Sequence, residues 1–122
     1  MAGQNHHFKQ YAREKLAYAI ERYVNETNRL YGVLNKRLAD RAFVAGDYSI
    51  ADMAAYPWIV PREAQAQKLD DFLHLKRWFE AIKARPATQR AYAIAAAINT
   101  TPILSDEKAR KILFSQTAAN VN

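Results

Sequence analysis

From Lys15 to Asp40, apolar side chains recur at Leu16, Ile20, Tyr23, Val24, Leu30, Tyr31, Leu34 and Leu38, with Thr27 in the same register. Steps of three and four draw one stripe down an α-helix, so the pattern predicts a helix of roughly 39 Å at 1.5 Å per residue. A helix that long needs others packed along its side. After a loop at Ala45 to Tyr48, Ser49-Ile50-Ala51-Asp52 has the form of a capping box, in which each side chain accepts from the other residue's backbone N–H. Tyr48 and Met53 stand where a hydrophobic staple would form. The helix that starts there carries Met53, Ala54, Pro57, Trp58 and Val60. Pro57 cannot donate to the carbonyl of Met53, and the apolar pattern continues past it, which predicts a kink rather than a stop.

A third helix, about Phe72 to Ala84, places Leu75, Trp78, Phe79 and Ile82 at core spacing, and Arg85-Pro86 ends it. A fourth, about Ala87 to Ile98, is rich in alanine and suits close helix approach. The tail contains Pro102 and an amphipathic piece from Ser105 to Phe114. Asp106 and Glu107 lie in its first turn and Lys108, Arg110 and Lys111 later, a polarity that complements the helix dipole. Three glycines and four prolines in 122 residues are too few turn formers for a multi-strand sandwich or barrel. The expectation is an all-α protein, an irregular bundle of four to six helices. Residues 1–122 then form one domain, with 1–14 as a lead-in segment and 99–122 as a tail.

Charge and composition narrow the function classes. Eighteen Lys and Arg against twelve Asp and Glu give a formal charge of +6, which raises polyanions as partners. Acids from Glu14 to Glu107 interleave with the bases, however, so no basic block marks a nucleic-acid surface. No apolar run approaches the eighteen or so residues that span a bilayer, and the expectation is a soluble, cytoplasmic protein without a membrane partner. The absence of cysteine excludes disulfides, thiolate metal sites and a cysteine nucleophile in this chain.

Candidate chemistry is sparse. His6 and His7 are adjacent, whereas helical metal ligands need a spacing of three or four, so no metal site is expected. Glu14 with Glu21, and Asp70 with Asp71, read as solvated faces; His74 reads as a partly buried residue at a helix start. Ser49 is explained by its cap, and Gly3, Gly32 and Gly46 stand too far apart for a phosphate loop. No catalytic residue is expected in this chain. Lys15, Arg22, Arg29 and Lys36 recur every seven residues, four cations on one stripe of the long helix. The stripe is either solvated or binds a carboxylate or phosphate, and arginine suits the second role because its planar fork donates two parallel hydrogen bonds. Spacing does not choose among the four.

Gly46-Asp47-Tyr48-Ser49-Ile50-Ala51-Asp52 resembles the capping-box signature of the C-terminal helical domain of glutathione transferases. Further strings follow in order: Gly3-Gln4-Asn5-His6-His7-Phe8, Tyr18-Ala19-Ile20-Glu21-Arg22-Tyr23, Leu30-Tyr31-Gly32-Val33-Leu34, Tyr56-Pro57-Trp58 and Arg85-Pro86-Ala87. Together with Ala109 to Phe114 they resemble the bacterial Nu-class glutathione transferases, the disulfide-bond oxidoreductase group, over nearly the whole chain. In that group a thioredoxin-like N-terminal domain holds glutathione and supplies the Thr and Asn near its thiol. The resemblance therefore implies that this chain is the helical substrate-pocket and dimerisation half of such an enzyme, inactive without the other half. Glutathione would be the cosubstrate, bound mainly by the absent domain, and no metal would be used.

Residue by residue, Arg22 matches an arginine that reaches toward glutathione in this group. Asn5, His6, His7, Phe8 and Tyr11 match the segment near the electrophile pocket, and Ser49 and Asp52 match the structural capping box. As a cap alone, Asp52 would be worth about 1 kcal/mol or more. The implied partners are glutathione, a small electrophile or disulfide, and a second subunit or other protein on an exposed apolar face. The alternative is a non-catalytic protein–protein assembly module, as helical domains of this type are in translation factors and synthetase complexes.

Overall fold

A computed structural model describes residues 1–98 and 107–120. Helix α1 spans Ala2–His6 and runs into a π-helical turn at His7–Tyr11; α2 is Ala17–Arg37, α3 Ile50–Ile59, α4 Leu73–Lys83, α5 Pro86–Ile98 and α6 Glu107–Phe114. Short 3-10 turns occupy Leu69–Asp71 and Ala118–Asn120. Pairing of extended backbone among the described residues is confined to two isolated bridges between Phe43 and Asp47, so the fold is all-α. The chain divides into two compact units, 1–85 and 86–122. Pro102, Ser105 and Asp106 lie outside the described residues.

In the first unit the long helix is shorter than its apolar stripe. Leu16 is extended and 45% exposed, so α2 starts at Ala17 and its 21 residues run roughly 32 Å. Burial along the stripe concentrates at Thr27, Tyr31 and Leu38. These pack with Tyr56 and Ile59 of α3, Leu69 and Phe72, and the expected face of α4: Leu75, Trp78, Phe79 and Ile82. Tyr56 stacks on Phe79 with ring centroids 5.0 Å apart, and Tyr31 meets Phe72 edge-on at 5.7 Å.

Helices α2 and α4 cap each other. The first N–H groups of an α-helix and its last carbonyls have no partner within the helix, and the residue before α4, Phe72, has no side chain to offer. Asn35 of α2 does this instead: its Oδ1 accepts from the backbone N–H groups of His74 at 2.9 Å and Leu75 at 3.0 Å. In return Arg77 of α4 donates to the carbonyls of Leu38 at 2.7 Å and Arg41 at 2.6 Å, just past the end of α2.

The start of α3 is the polar centre of the unit. Asp52 is fully buried, and the capping box is closed. Its Oδ2 accepts from Ser49 N–H at 3.0 Å, while Ser49 Oγ accepts from Ala51 N–H at 3.3 Å. Its Oδ1 accepts from Val44 N–H at 3.0 Å and from the Trp78 indole N–H at 2.7 Å. Gly46, with φ at +104°, turns the chain back so that its N–H reaches Phe43 O; a side chain there would be strained. The expected staple takes another form: Met53 stays 54% exposed, and Tyr48 packs on Phe43 with Arg85 3.7 Å above its ring. Pro57 lies inside α3, which ends two residues later at Ile59.

In the second unit, α5 buries none of its residues despite its alanine content. Helix α6 has Glu107 in its first turn and Lys111 in its last, and Arg110 lies 5.8 Å from the Phe114 ring. No helix among the described residues is long and apolar enough to cross a membrane.

Candidate functional site

The segment before α2 is anchored by one buried amide. Asn5 is fully buried, and its Nδ2 donates to Thr27 Oγ1 at 3.0 Å and to Gln65 O at 2.9 Å. Thr27 passes its own proton to Tyr23 O at 2.7 Å, and Gln67 Nε2 bridges Val24 O and Gln65 O. A polar seam thus ties residues 1–11, helix α2 and the turn after α3. Gln65 and Gln67 are buried members of it that the sequence pattern did not single out, and Thr27 entered that pattern only as one position of the α2 stripe. A Thr in the apolar register of α2 was the one visible sign.

With Asn5 held inward, the next residues form a wide turn. Ala12 N–H donates to His7 O at 2.8 Å, the five-residue span of a π-helix. That extra width gathers the rings: His6 and His7 approach Tyr11 at 4.9 and 6.5 Å, His7 meets Phe8 at 5.2 Å, and Phe8 stacks on Tyr23 of α2 at 5.4 Å. All of these are half-buried. The structure therefore brings His6, His7, Phe8 and Tyr11 into one imidazole–aromatic cluster and uses Asn5 as the latch behind it. Among the described residues no three His, Cys, Asp or Glu side chains are grouped to hold a metal.

Arg22 stands elsewhere on α2, in a groove of about 440 Å³ lined by Tyr18, Glu21, Arg22, Asn25, Glu26 and Arg29. The four cations of the stripe are exposed but not equivalent. Arg29 is held by Glu26 through two bonds of 2.9 and 2.8 Å, and Lys15 donates to Lys9 O at 2.8 Å. Arg22 has no ion pair among the described residues, although its charge helps to hold the Glu26 carboxyl below its ordinary pKa, chiefly lowered by the bond from Arg29. The structure thus separates Arg22 from Lys15 and Arg29, while Lys36 is likewise exposed and without an ion pair among the described residues.

A second groove, about 310 Å³ and mostly apolar, lies between α1, α2 and α3, with Leu30, Tyr31, Leu34, Trp58 and Ile59 among its walls. Burial pushes the Tyr31 phenol up to about 12, with the nearby Arg62 charge opposing. Tyr31 is neutral at pH 7 and offers no base. Beside this groove α3 turns apolar residues outward, Ile50 at 82%, Trp58 at 55% and Met53 at 54% exposure, while it buries Asp52.

An all-α order with a buried acid at the capping box of α3 is the arrangement that the resemblance to transferase C-terminal domains implies. The chain belongs to the family described as glutathione S-transferase, C-terminal domain, whose profile matches residues 5–86. It is 49% identical over 92 residues to the disulfide-bond oxidoreductase YfcG of Escherichia coli, covering 75% of this chain and 43% of that protein. To the E. coli disulfide-bond oxidoreductase YghU it is 42% identical over 92 residues, 69% of this chain and 32% of the relative. Among solved structures, a Burkholderia graminis glutathione transferase with two bound glutathione molecules per subunit superposes with a TM-score of 0.65 at 37% identity, over 73% of this chain and 40% of that one. The glutathione transferase URE2P6 of Phanerochaete chrysosporium, solved with oxidized glutathione, gives 0.73 at 29% identity, over 80% and 47%. The chain therefore spans less than half the length of these relatives.

Proposed function

We propose that this chain is the helical half of a glutathione-dependent transferase or disulfide reductase. It would contribute an anion-binding arginine and one wall of the electrophile pocket, and leave thiol activation to residues outside it. The observation that carries this reading is Arg22: an exposed, unpaired guanidinium in a groove, on a chain whose solved relatives carry glutathione. A planar fork free of internal carboxylates is available to a glutathione carboxylate. The rings of His6, His7, Phe8 and Tyr11 supply the half-buried, polarizable surface that an electrophile or disulfide would pack against. In this reading the nucleophile is the thiol of glutathione, since this half has no cysteine to supply one. Work on reduced glutathione suits the cytoplasm.

Titrating glutathione into the chain, followed by amide chemical shifts, is expected to move resonances of α2 around Arg22. Arg22→Ala should weaken this binding about tenfold with no change in the thermal midpoint, because Arg22 is exposed. Glutathione conjugation and disulfide reduction by the chain alone are expected to be absent; turnover like that of a complete transferase overturns the division of labour.

A second reading is favoured by the outward face of α3. Ile50, Met53, Pro57 and Trp58 form an exposed apolar surface beside an apolar groove, a combination that marks protein association. As an assembly module, or as the homodimerising half of the enzyme, the chain should sediment above its 13.9 kDa monomer mass at micromolar concentration. Replacing Trp58 with Glu should return it to a monomer, and a wild-type monomer would remove this reading.

A further inference from the structure

Among the described residues five buried polar side-chain atoms have no hydrogen-bond partner, and three of them belong to two residues in contact: Asn5 Oδ1 and both amide atoms of Gln65. The others are His6 Nδ1 and Tyr31 Oη. Asn5 and Gln65 are each fully buried. Turning the Asn5 amide over would not help. Its Nδ2 faces two acceptors, because Thr27 Oγ1 has given its proton to Tyr23 O and Gln65 O is a carbonyl, so Oδ1 must point the other way. Gln65 needs a partner at each end of its amide in either orientation. The turn that carries it is strained as well, since Ala66 adopts a φ of +56° in the left-handed region. Gln10, Asn5 and Gln67 nevertheless hold that turn by its carbonyls, at 2.8 Å to Ala64 O and at 2.9 and 3.0 Å to Gln65 O.

A buried amide atom without a partner is strongly destabilising, and native folds keep such groups rare by serving them with protein or with water. The chemistry called for here is that of water: a molecule small enough for a closed seam, which donates to a carbonyl and accepts from an amide at once. We propose that the seam between residues 1–11 and the turn after α3 is a binding site for at least two ordered water molecules. One accepts from Gln65 Nε2 and donates to Asn5 Oδ1, and the other donates to Gln65 Oε1. A single molecule cannot do both, because the two ends of an amide point apart. Buried water occurs about once per 27 residues, or roughly three times in a unit that spans residues 1–85, so two fall within the ordinary range. Every protein atom of the site belongs to that unit, so the site owes nothing to a partner or to the glutathione reading. The waters complete the latch that holds the His6–Tyr11 turn.

Overhauser transfer from water to the side-chain amides of the full chain, measured in the laboratory and rotating frames, tests this. Cross-peaks from water to the Gln65 ε2 and Asn5 δ2 protons are expected, with the sign of bound water. They should persist in Thr27→Val, which removes the hydroxyl beside Asn5 and with it any transfer relayed through that group. In Gln65→Leu the Asn5 cross-peak should fall about threefold or more, because its water has lost an anchor. The thermal midpoint of that variant should lie at or below the wild type. Absent cross-peaks at both amides overturn the proposal, and an Asn5 cross-peak indifferent to Gln65→Leu overturns the shared water. A Gln65→Leu midpoint raised by about 5 °C or more overturns it too, since leucine would then have replaced two unserved amide atoms with apolar ones.

Discussion

Asp52→Ala lowers the stability of the 1–85 unit by more than about 3 kcal/mol, well beyond the ~1 kcal/mol of a lost helix cap. Asp52 is fully buried and accepts from four sources: the N–H groups of Ser49 and Val44, the Trp78 indole and the Ser49 hydroxyl. Alanine leaves the two backbone donors and the indole without an acceptor, and each orphaned buried donor costs about 1–3 kcal/mol. Urea unfolding followed by tryptophan fluorescence measures the loss. A loss near 1 kcal/mol would mean that Asp52 acts only as a cap. Because Trp78→Phe removes one of the donors, the double variant Asp52→Ala, Trp78→Phe should lose less than the sum of the single losses.

The same carboxylate gives the unit an acid limit. Burial pushes the Asp52 pKa up, but the bonds from Val44, Trp78 and Ser49 outweigh it and bring the carboxyl below its ordinary value of 3.8. A group with a depressed folded pKa contributes stability above its unfolded pKa and loses it as pH falls through the folded value. Wild-type stability should therefore fall below about pH 4, and Asp52→Ala should show a shallower decline over the same range. Parallel acid profiles for the two proteins would remove Asp52 from that role.

Asn5→Ala is expected to cost about 2 kcal/mol, two buried hydrogen bonds at about 1 kcal/mol each, and to release the turn that follows. Thr27 keeps its bond to Tyr23 O, and Gln65 O keeps its bond from Gln67, so neither partner is fully orphaned. What is lost is the tie between residues 1–11, α2 and the turn after α3. Hydrogen exchange should therefore quicken from His6 to Ala12, while the amides of α4 change little. Unaltered protection across that turn would show that the Phe8–Tyr23 stack holds the segment without Asn5. In the transferase reading this makes Asn5 a positioning residue for the aromatic cluster, set behind it.

The helical class and the core face of α4 were legible because both follow from local periodicity: Leu75, Trp78, Phe79 and Ile82 repeat at the spacing of one buried stripe. The capping box was legible for the same reason, since Ser49 and Asp52 are three residues apart. The ends of α2 were not. Its apolar pattern runs on to Leu16 and Leu38, but the helix ends where Arg77 supplies donors to Leu38 and Arg41 and begins only after Leu16, which is extended and 45% exposed. The partner that caps α4, Asn35, is nearly forty residues away in sequence.

For the candidate site the division is similar. The pattern by itself determined that four cations share a stripe on α2 and that an aromatic, histidine-rich segment precedes it. Helical spacing places side chains on a face, but it carries no information about which of them already has a partner. The tertiary structure shows the local, exposed pair of Glu26 and Arg29 formed, three residues apart on α2, and Arg22 without an ion pair. It alone turned Asn5 inward, through contacts to residues 22 and 60 positions away. It also made Asp52 the acceptor for an indole on another helix. The placements of Asn5 and Asp52 depend on which distant donors and acceptors meet once water has been excluded, and that is settled by packing rather than by any local repeat.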